Sequence, residues 1–321
     1  MKHQILALAV AALSFTACSN EDNISQDYLA DTPIKLNVSV DEPTTRAGYS
    51  DADKPTVFLL TVNHNNTEDD KYNYVVWAKK VGDNWKTYKT YKGDDGTWGV
   101  TDEEVTMLWA NMNDKVSVTA FTKFGEITIP TGQTSDEQLK QADVLYMPTA
   151  DRYPKLCKDG INVNLQHAMS KINLTIELGS EYEFSKEDVD LQIKDVKIDG
   201  SLVSAIVYAN GIYDDFGVPT PIFPFHTGTT PYSKTGGVIT KASATYEAIL
   251  IPQYIESGKF TISFKVDGKL YEWAYNQELT LAPNTAYTLK LIAGDDKVQP
   301  VSFSVAEWGK GNGDGENKET D

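Results

Sequence analysis

Apolar and polar residues alternate with a period of two along most of this chain, the pattern of β-strands with one buried face. The alternation is clearest from Phe260 to Val266, where it ends at Asp267-Gly268, a strong hairpin signal. A helical start signal precedes Asp136 to Ala142, because Ser135 and Gln138 form a capping box. The sequence therefore predicts an all-β protein with few helices.

The first alternating segment is followed by an unusual break. Its apolar positions are Ile34, Leu36, Val38 and Val40. The alternation stops at Pro43, and the polar segment that follows holds Arg46, one of two arginines in the chain. A lone arginine in an exposed loop is a natural cleavage point for a trypsin-like protease. The alternative interpretation is a first strand followed by an ordinary linker.

The strands fall into two groups of domain size, which predicts tandem β-sandwiches. We place the boundary in the loop that holds Pro148, Pro154 and Cys157. The predicted domains are an N-terminal sandwich over residues 33–157 and a C-terminal sandwich over residues 158–308. A parity switch near His167 to Lys171 predicts a bulge or bend there. A polar tail, residues 309–321, cannot bury anything and should be disordered.

The N-terminus resembles that of a bacterial lipoprotein. Lys2 precedes an apolar run from Ile5 to Leu13, which has the length of a signal-peptide core and is too short to span a bilayer. A small residue then precedes Cys18, as in a lipobox, although Phe15 departs from the commoner leucine. The resemblance implies a signal peptide over residues 1–17, acylation of Cys18 and a polar tether over residues 18–32. A plain secretory signal with a coincidental cysteine is the alternative.

Composition limits the partners. The formal net charge is −17, which argues against a nucleic-acid partner because such proteins need a basic surface. The cysteines are Cys18 and Cys157, so a chain acylated at Cys18 has no intramolecular disulfide. The fold must therefore be held by its hydrophobic core, and Cys157 is expected to be a small buried residue.

No pattern in the sequence supports catalysis, a metal or a cofactor. The histidines are not spaced as metal ligands, and no serine lies in a G-x-S-x-G turn. Acidic pairs such as Asp94-Asp95 lie in turns, where solvated side chains are the ordinary interpretation. His167 is expected to form hydrogen bonds in the core or between domains. We therefore predict a protein that is not an enzyme.

Aromatic residues near turns leave a second function open. Trp85, Tyr88, Tyr91 and Trp98 are the aromatic side chains that could stack on sugars, whereas most others at strand spacing are expected to pack in the core. Under this alternative the protein is a surface lipoprotein that binds glycans and does not polymerise.

A series of short motifs resembles the fimbrillin family of Bacteroidetes, the subunits of type V pili, including its Mfa-like branch. The motifs, in chain order after the lipobox, are the strand followed by Thr44-Thr45-Arg46-Ala47-Gly48, then Ala142 to Tyr146, Leu165 to Ile172, Leu281 to Asn284 with Tyr287, and Val305 with Trp308. Each motif alone is weak, and their order carries the resemblance from Cys18 to Trp308.

The resemblance implies two transthyretin-like β-sandwich domains and assembly by donor-strand exchange. An arginine-specific protease would cut between Arg46 and Ala47 and release the strand that holds Ile34, Leu36, Val38 and Val40. A strand from a neighbouring subunit would fill the groove left behind. In this chain the closest candidate donor positions are Val301, Phe303 and Val305.

The implied partners are other fimbrial subunits, outer-membrane lipid through Cys18, and a host or bacterial surface ligand. The implied location is the outer face of the outer membrane and the fimbrium, and an acidic cluster after Cys18 resembles the surface-export signal of lipoproteins in this phylum. The chain departs from a simple stalk subunit because a Gly-rich acidic tail follows the last apolar strand. A stalk, tip or accessory role stays open.

Overall fold

The computed structural model describes residues 30–40, 48–64, 70–94, 98–179, 182, 193–208, 211–235, 237–294 and 297–308. Cys18, Arg46, Ala47 and the tail over residues 309–321 lie outside these ranges. Within them the protein is built from strands joined by short turns, with one α-helix. The predicted all-β class is confirmed.

The first nine strands and the helix occupy the chain up to His167. They are β1 (Leu36–Val40), β2 (Val57–His64), β3 (Tyr74–Val81), β4 (Asn84–Lys92), β5 (Trp98–Glu104), β6 (Val116–Phe121), β7 (Gly125–Thr128), α1 (Asp136–Ala142), β8 (Leu145–Arg152) and β9 (Ile161–His167). Two 3-10 turns, Asp70–Tyr72 and Pro154–Leu156, interrupt the connections. The α1 helix starts as predicted, because the Ser135 hydroxyl accepts a hydrogen bond from the Gln138 amide.

Fourteen further strands follow among the described residues. They are β10 (Ser170–Leu178), β11 (Ile193–Asp199), β12 (Ser204–Tyr208), β13 (Gly211–Phe216), β14 (Phe225–Thr230), β15 (Ser233–Thr235), β16 (Val238–Thr240), β17 (Ser243–Leu250), β18 (Gln253–Ile255), β19 (Thr261–Val266), β20 (Lys269–Ala274), β21 (Leu279–Leu281), β22 (Thr285–Ala293) and β23 (Val298–Glu307). The Asp267-Gly268 hairpin is confirmed between β19 and β20. Asp267 and Gly268 both adopt positive φ there, as the tight turn requires.

One region contains strands although its sequence does not alternate. The sequence from Phe216 to Gly237 shows no alternation, yet β14 lies within it and pairs with β17. A register shift between His226 and Gly228 interrupts this pairing. Such an irregularity changes which side chains face the core, so the period of two is lost from the sequence.

The strands form two large sheets and several small ones. The larger sheet has the order β1-β9-β8-β6-β2-β3-β4-β5, and its β1–β9 pair is parallel. A five-stranded sheet has the order β14-β17-β10-β22-β23, and a three-stranded sheet has the order β11-β19-β20. A second three-stranded sheet, β13-β12-β7, joins a strand from the first half of the chain to two from the second.

The buried side chains form two hydrophobic clusters. The first cluster uses residues of the eight-stranded sheet, from Ile34 to Leu165. The second cluster uses residues of the five-stranded sheet, the smaller sheets and α1, from Ile127 to Trp308. The chain passes from the first sheet to the second at Ala168 and Met169, where the sequence predicted a bulge or bend. The domain boundary at residue 157 stays a prediction, and β9 after it pairs with β1 and β8.

Candidate functional site

β1 lies at one edge of the eight-stranded sheet. It pairs with β9 over five residues, from Leu36 opposite Ile161 to Val40 opposite Leu165. Its other edge pairs with no strand that the structure describes. This strand is therefore attached to the sheet through one ladder, which is the arrangement that strand removal requires.

The two faces of the β1–β9 ladder differ in chemistry. On the inner face, Val38 and Val40 are buried and lie opposite Val163 and Leu165 in the first cluster. Leu36 packs against the same cluster and is half-buried, and Ile34 just before the strand is buried. β1 thus covers apolar side chains of β9 that would otherwise face water.

The outer face of this ladder is polar and hydrogen-bonded. The Asn37 amide donates to the Asn162 side-chain oxygen at 3.2 Å, and the Ser39 hydroxyl donates to the Asn164 side-chain oxygen at 2.7 Å. These exposed side-chain bonds are each worth about 1 kcal/mol or less. These bonds specify the register of β1 and add little to the stability of the ladder. A slip by one residue would move the polar side chains of β1 to the buried face.

The chain before β1 is held by a loop that follows β5. The amides of Asp31 and Ile34 donate to the carbonyls of Trp109 and Met107 at 2.9 and 2.8 Å. The Trp109 amide donates in return to the Thr32 carbonyl at 3.0 Å. Met107 and Trp109 are buried in the first cluster, so removal of this segment would uncover a second set of apolar side chains.

Two side chains that follow residues 41–47 in sequence bind the free edge of β1. The Lys54 ammonium donates to the Val38 carbonyl at 2.8 Å, and the Asp51 carboxylate accepts from the Val40 amide at 3.3 Å. Lys54 and Asp51 also pair with each other at 2.7 Å. The hydrogen bond from Lys54 holds the pKa of Asp51 below its usual range. Charged side chains at an edge oppose pairing with another chain.

A buried junction, formed by Asp143, His167, Lys171, Glu247 and Trp308, lies where the two large sheets meet. Asp143 follows α1, and both of its carboxylate oxygens are used. One accepts from the Tyr49 amide at 2.9 Å, and the other lies 3.0 Å from Nδ1 of His167. Asp143 therefore links Tyr49, which lies just after residues 41–47, to His167 at the end of β9.

Gly48 is required beside this carboxylate. It has φ of +83°, and a Cβ at this position would lie 2.5 Å from Oδ2 of Asp143. A side chain would therefore meet both a strained backbone and a buried charge. This explains why a glycine follows the arginine and alanine of the predicted processing motif.

His167 and Trp308 stack in parallel at the junction. Their ring centroids are 4.0 Å apart and their planes differ by 6°. Both side chains are buried, and the Trp308 amide donates to the Asn284 carbonyl at 2.8 Å. His167 is a buried hydrogen-bonding residue, as predicted. Because Trp308 directly follows β23, this stack fixes the end of that strand to the end of β9.

Lys171 places a buried ammonium beside the same indole ring. Its Nζ lies 3.2 Å from a carboxylate oxygen of Glu247 and 5.9 Å from the centroid of Trp308. Burial lowers the pKa of Lys171, and the charges of Glu247 and Asp143 oppose that shift. Replacing either Lys171 or Glu247 by a neutral residue would leave the other charge buried without its partner, which costs about 3–5 kcal/mol of stability.

β23, the strand with the predicted donor positions, is an edge strand of the five-stranded sheet. It pairs with β22, and a bulge at Val301 lies between the pairs Leu291–Pro300 and Lys290–Ser302. Val301 is 50% exposed and Val305 is 37% exposed. Phe303 is half-buried and lies 5.0 Å from the ring of Tyr275. In this structure the predicted donor strand completes its own sheet.

The four suspected sugar-stacking residues do not form one site. Trp85 packs on Phe58 with ring centroids 5.0 Å apart, whereas Tyr88 faces the opposite side of β4, next to Trp77. Tyr91 is 57% exposed and covers Gly99 of the neighbouring strand. Trp98 is half-buried, with Lys92 Nζ 5.9 Å above its ring. The structure separates these residues between two faces of the sheet.

Other candidate chemistry is absent from the described residues. Among them, no group of three or more His, Cys, Asp or Glu side chains could hold a metal ion, and no helix is long and apolar enough to cross a membrane. Cys157 is buried, as predicted, and burial raises the pKa of its thiol. The sequence placed Asp143 in a family motif but gave no sign of its contact with His167, because tertiary packing brings the two together.

Comparisons with known proteins agree with this architecture. A model of the fimbrillin-like family matches residues 45–308. No curated protein matches the chain.

Solved structures of bacterial proteins are similar to this chain, and the two with TM-scores above 0.5 share its fold. A candidate cell adhesion protein from Bacteroides ovatus is 14% identical with a TM-score of 0.54, over 87% of this chain and 98% of that chain. One from Bacteroides uniformis is 14% identical with a TM-score of 0.53, over 86% and 98%. The tip fimbrial protein Mfa3 from Porphyromonas gingivalis, truncated at its C-terminus, is 11% identical with a TM-score of 0.45, over 86% and 99%.

Proposed function

The chain belongs to the fimbrillin-like family, and from that premise we propose that it is a surface fimbrial subunit that assembles by donor-strand exchange. The proposed trigger is cleavage between Arg46 and Ala47, which releases β1. The proposed role is structural and adhesive, without enzymatic activity. Its partners are then other fimbrial subunits and a ligand on a host or bacterial surface.

The observation that carries this proposal is the attachment of β1. The strand is bound through one ladder, and its inner side chains lie in the first cluster. Fully burying a Val, Leu or Ile side chain contributes about 1.5–3 kcal/mol. Loss of β1 would expose its own apolar side chains and those of Ile161, Val163 and Leu165 on β9. A donor strand with alternating apolar residues would cover them again.

The attachments that outlast cleavage support the same proposal. Asp51 and Lys54 bind the free edge of β1, and Tyr49 is held by Asp143. All of these residues follow Arg46 in sequence, so a processed chain would keep them. They would border the groove and could bind the backbone of an incoming strand as they bind that of β1.

Membrane attachment is the second part of the proposal. Cys18 would carry the acyl chains that hold the unprocessed subunit at the outer membrane, since two lipid signals give stable anchoring. Cleavage after Arg46 would then separate the lipidated segment from the remainder of the chain. Release from the anchor and opening of the groove would be one event.

The position of β23 favours a tip or accessory role over a stalk role. β23 is seated in its own sheet, and Trp308 behind it is buried against His167. Donation of Val301, Phe303 and Val305 to a neighbour would require this stack to break. We therefore place the chain as a subunit that accepts a strand and keeps its own C-terminal strand.

The test is to replace each arginine in turn. Arg46→Ala should leave an unprocessed, lipidated precursor that forms no SDS-resistant oligomers, and Arg152→Ala is the matched control because it removes the only other arginine. N-terminal sequencing of the surface-exposed form should give Ala47 for the wild type and the control. A surface form that still begins at Cys18 in the wild type would contradict the proposal.

A further inference from the structure

A small aromatic pocket lies between β20 and β23, which are edge strands of two different sheets. One wall is β20 with the turn that follows it, and the other wall is β23. Its lining includes Trp273, Tyr275, Asn276, Gln277, Ser302 and Phe303, and its volume is about 220 Å³. β20 and β23 belong to other sheets than β1, and they are distant in sequence from β1 and from Arg46.

Three rings form the apolar side of this pocket. The centroids of Trp273 and Tyr275 are 6.0 Å apart, and those of Tyr275 and Phe303 are 5.0 Å apart. The planes of each pair are tilted, by 47° and 43°. Trp273 and Phe303 are only partly buried, although both pack against the second cluster. Rigid aromatic faces therefore remain open to a ligand, at a low cost in conformational entropy.

The polar lining of the pocket is neutral. Asn276, Gln277 and Ser302 supply amides and a hydroxyl, each of which can both donate and accept hydrogen bonds. Burial raises the pKa of Tyr275, so its phenol stays protonated at neutral pH. None of the described residues that line the pocket is charged, although 23% of the chain is charged. A neutral ligand rich in hydroxyl groups matches this lining, and an ion does not.

The size of the pocket limits the ligand further. Pockets that enclose drug-sized molecules measure about 300–1,000 Å³, so 220 Å³ suits one small ring. An extended strand of five residues would need about 17 Å of length, and a cavity of this volume cannot enclose it. We propose that this pocket binds a single neutral sugar ring at the end of a glycan chain.

The pocket also depends on where β23 lies. Ser302 and Phe303 belong to that strand, so the site is complete only while β23 occupies its own sheet. A subunit that donated β23 would lose one wall of the pocket. The site goes beyond the proposed assembly, because it needs neither cleavage at Arg46 nor an acceptor groove.

The binding test uses the full chain and methyl glycosides of neutral hexoses, measured by saturation-transfer NMR and titration calorimetry. Binding with millimolar affinity is expected for one sugar ring. Trp273→Ala should weaken it at least tenfold. Gln277→Glu alters an exposed rim position and keeps the side-chain oxygen that accepts a hydrogen bond from Tyr275 at 3.5 Å. The added negative charge should also weaken binding at least tenfold. Tyr153→Ala, at an exposed aromatic residue just before the Pro154–Leu156 turn, is the control and should bind as the wild type does.

Several results would overturn the site. They are no binding of any neutral glycoside, unchanged affinity in Gln277→Glu, or a preference for sialic acid or a synthetic strand peptide over neutral sugars. The Arg46→Ala precursor keeps β23 and should bind as the wild type does. A wild-type chain that forms oligomers but binds no neutral glycoside would therefore contradict the sugar site alone. A wild-type chain that binds a glycoside but forms no oligomers would contradict strand exchange alone.

Discussion

Two edge strands of this molecule, β1 and β23, are attached in opposite ways. β1 buries most of its apolar side chains in the first cluster, and the segment after it leads to the predicted cleavage site. β23 leaves Val301 and Val305 about half and one-third exposed, yet Trp308 at its end is 2% exposed and stacks on His167. β1 is thus held along its length, whereas β23 is held by its ladder and its end.

This difference in attachment indicates which of the two strands can be removed and which is retained. A strand held by side-chain burial leaves an apolar groove when it goes, and the groove favours a replacement strand. A strand fixed by one buried anchor leaves less apolar surface uncovered, and it stays in place while the anchor stays. On this basis β1 suits replacement by another strand, and β23 suits a permanent place in the subunit.

Truncating the C-terminal anchor should have the largest effect. Trp308→Ala removes the stacked ring and leaves a cavity, and such changes destabilise by about 3–5 kcal/mol. We expect a loss of this order in the free energy of unfolding by urea, with faster hydrogen exchange in β23 than in β1. Trp308→Phe should restore most of the stability, because the indole N–H has no partner among the described residues. Unchanged exchange in β23 would show that its ladder alone holds it.

Paired truncations on the two strands should separate burial from exposure. Val40→Ala, at a position 3% exposed, should lower the free energy of unfolding by about 2 kcal/mol because buried methyl groups are lost. Val305→Ala, at a position 37% exposed, should cost less than about 1 kcal/mol. Thermal and urea unfolding of both variants measure this directly. Equal losses would remove the distinction between the two edges.

Acid should loosen the first cluster before the second. Burial lowers the pKa of His64, which lies beside Trp109 of the first cluster, although the charge of Asp114 opposes this shift. Its folded form therefore resists protonation, and stability is lost as the pH falls below the ordinary His pKa of 6.5.

Glu177 in the second sheet responds at lower pH. Burial raises the pKa of Glu177, but hydrogen bonds from Lys290 and Lys241 outweigh it and hold the pKa below 4.5. Its stabilisation is present above the ordinary pKa and is lost only as the pH falls below about 4.5. In limited proteolysis between pH 7 and 4, the onset of cleavage in the strands of the first cluster should lie at a higher pH than the onset in the strands of the second. His64→Gln should shift that onset to lower pH, and an unshifted onset would exclude His64 as the cause.

Removing the lysine that covers the free edge of β1 should have the smallest effect on stability. Lys54→Ala loses a partly exposed hydrogen bond and ion pair, for which about 0.5–1 kcal/mol is expected. Lys86→Ala, which breaks an exposed pair with Glu104 near the opposite edge, is the control. The informative measurement is hydrogen exchange of β1 amides, which should speed up in the first variant only.

The sequence by itself determined the strand character of the molecule and its short-range signals. The alternation from Ile34 to Val40 predicted β1, the capping box predicted the start of α1, and Asp267-Gly268 predicted the hairpin between β19 and β20. These features depend on residues that are near one another in sequence, so local pattern specifies them. The family motifs were also readable, because they keep a fixed order along the chain.

Only the tertiary structure decided which strands lie at edges and what the buried polar residues contact. Asp143, His167 and Trp308 are far apart in sequence, and their contacts arise because α1, β9 and β23 end at one place. The aromatic pocket likewise needs β20 and β23 side by side. Alternation shows that a strand has one buried face, but it carries no information on the number of neighbours that strand has. That number decides whether a strand can be replaced, and it is set by packing of the whole chain.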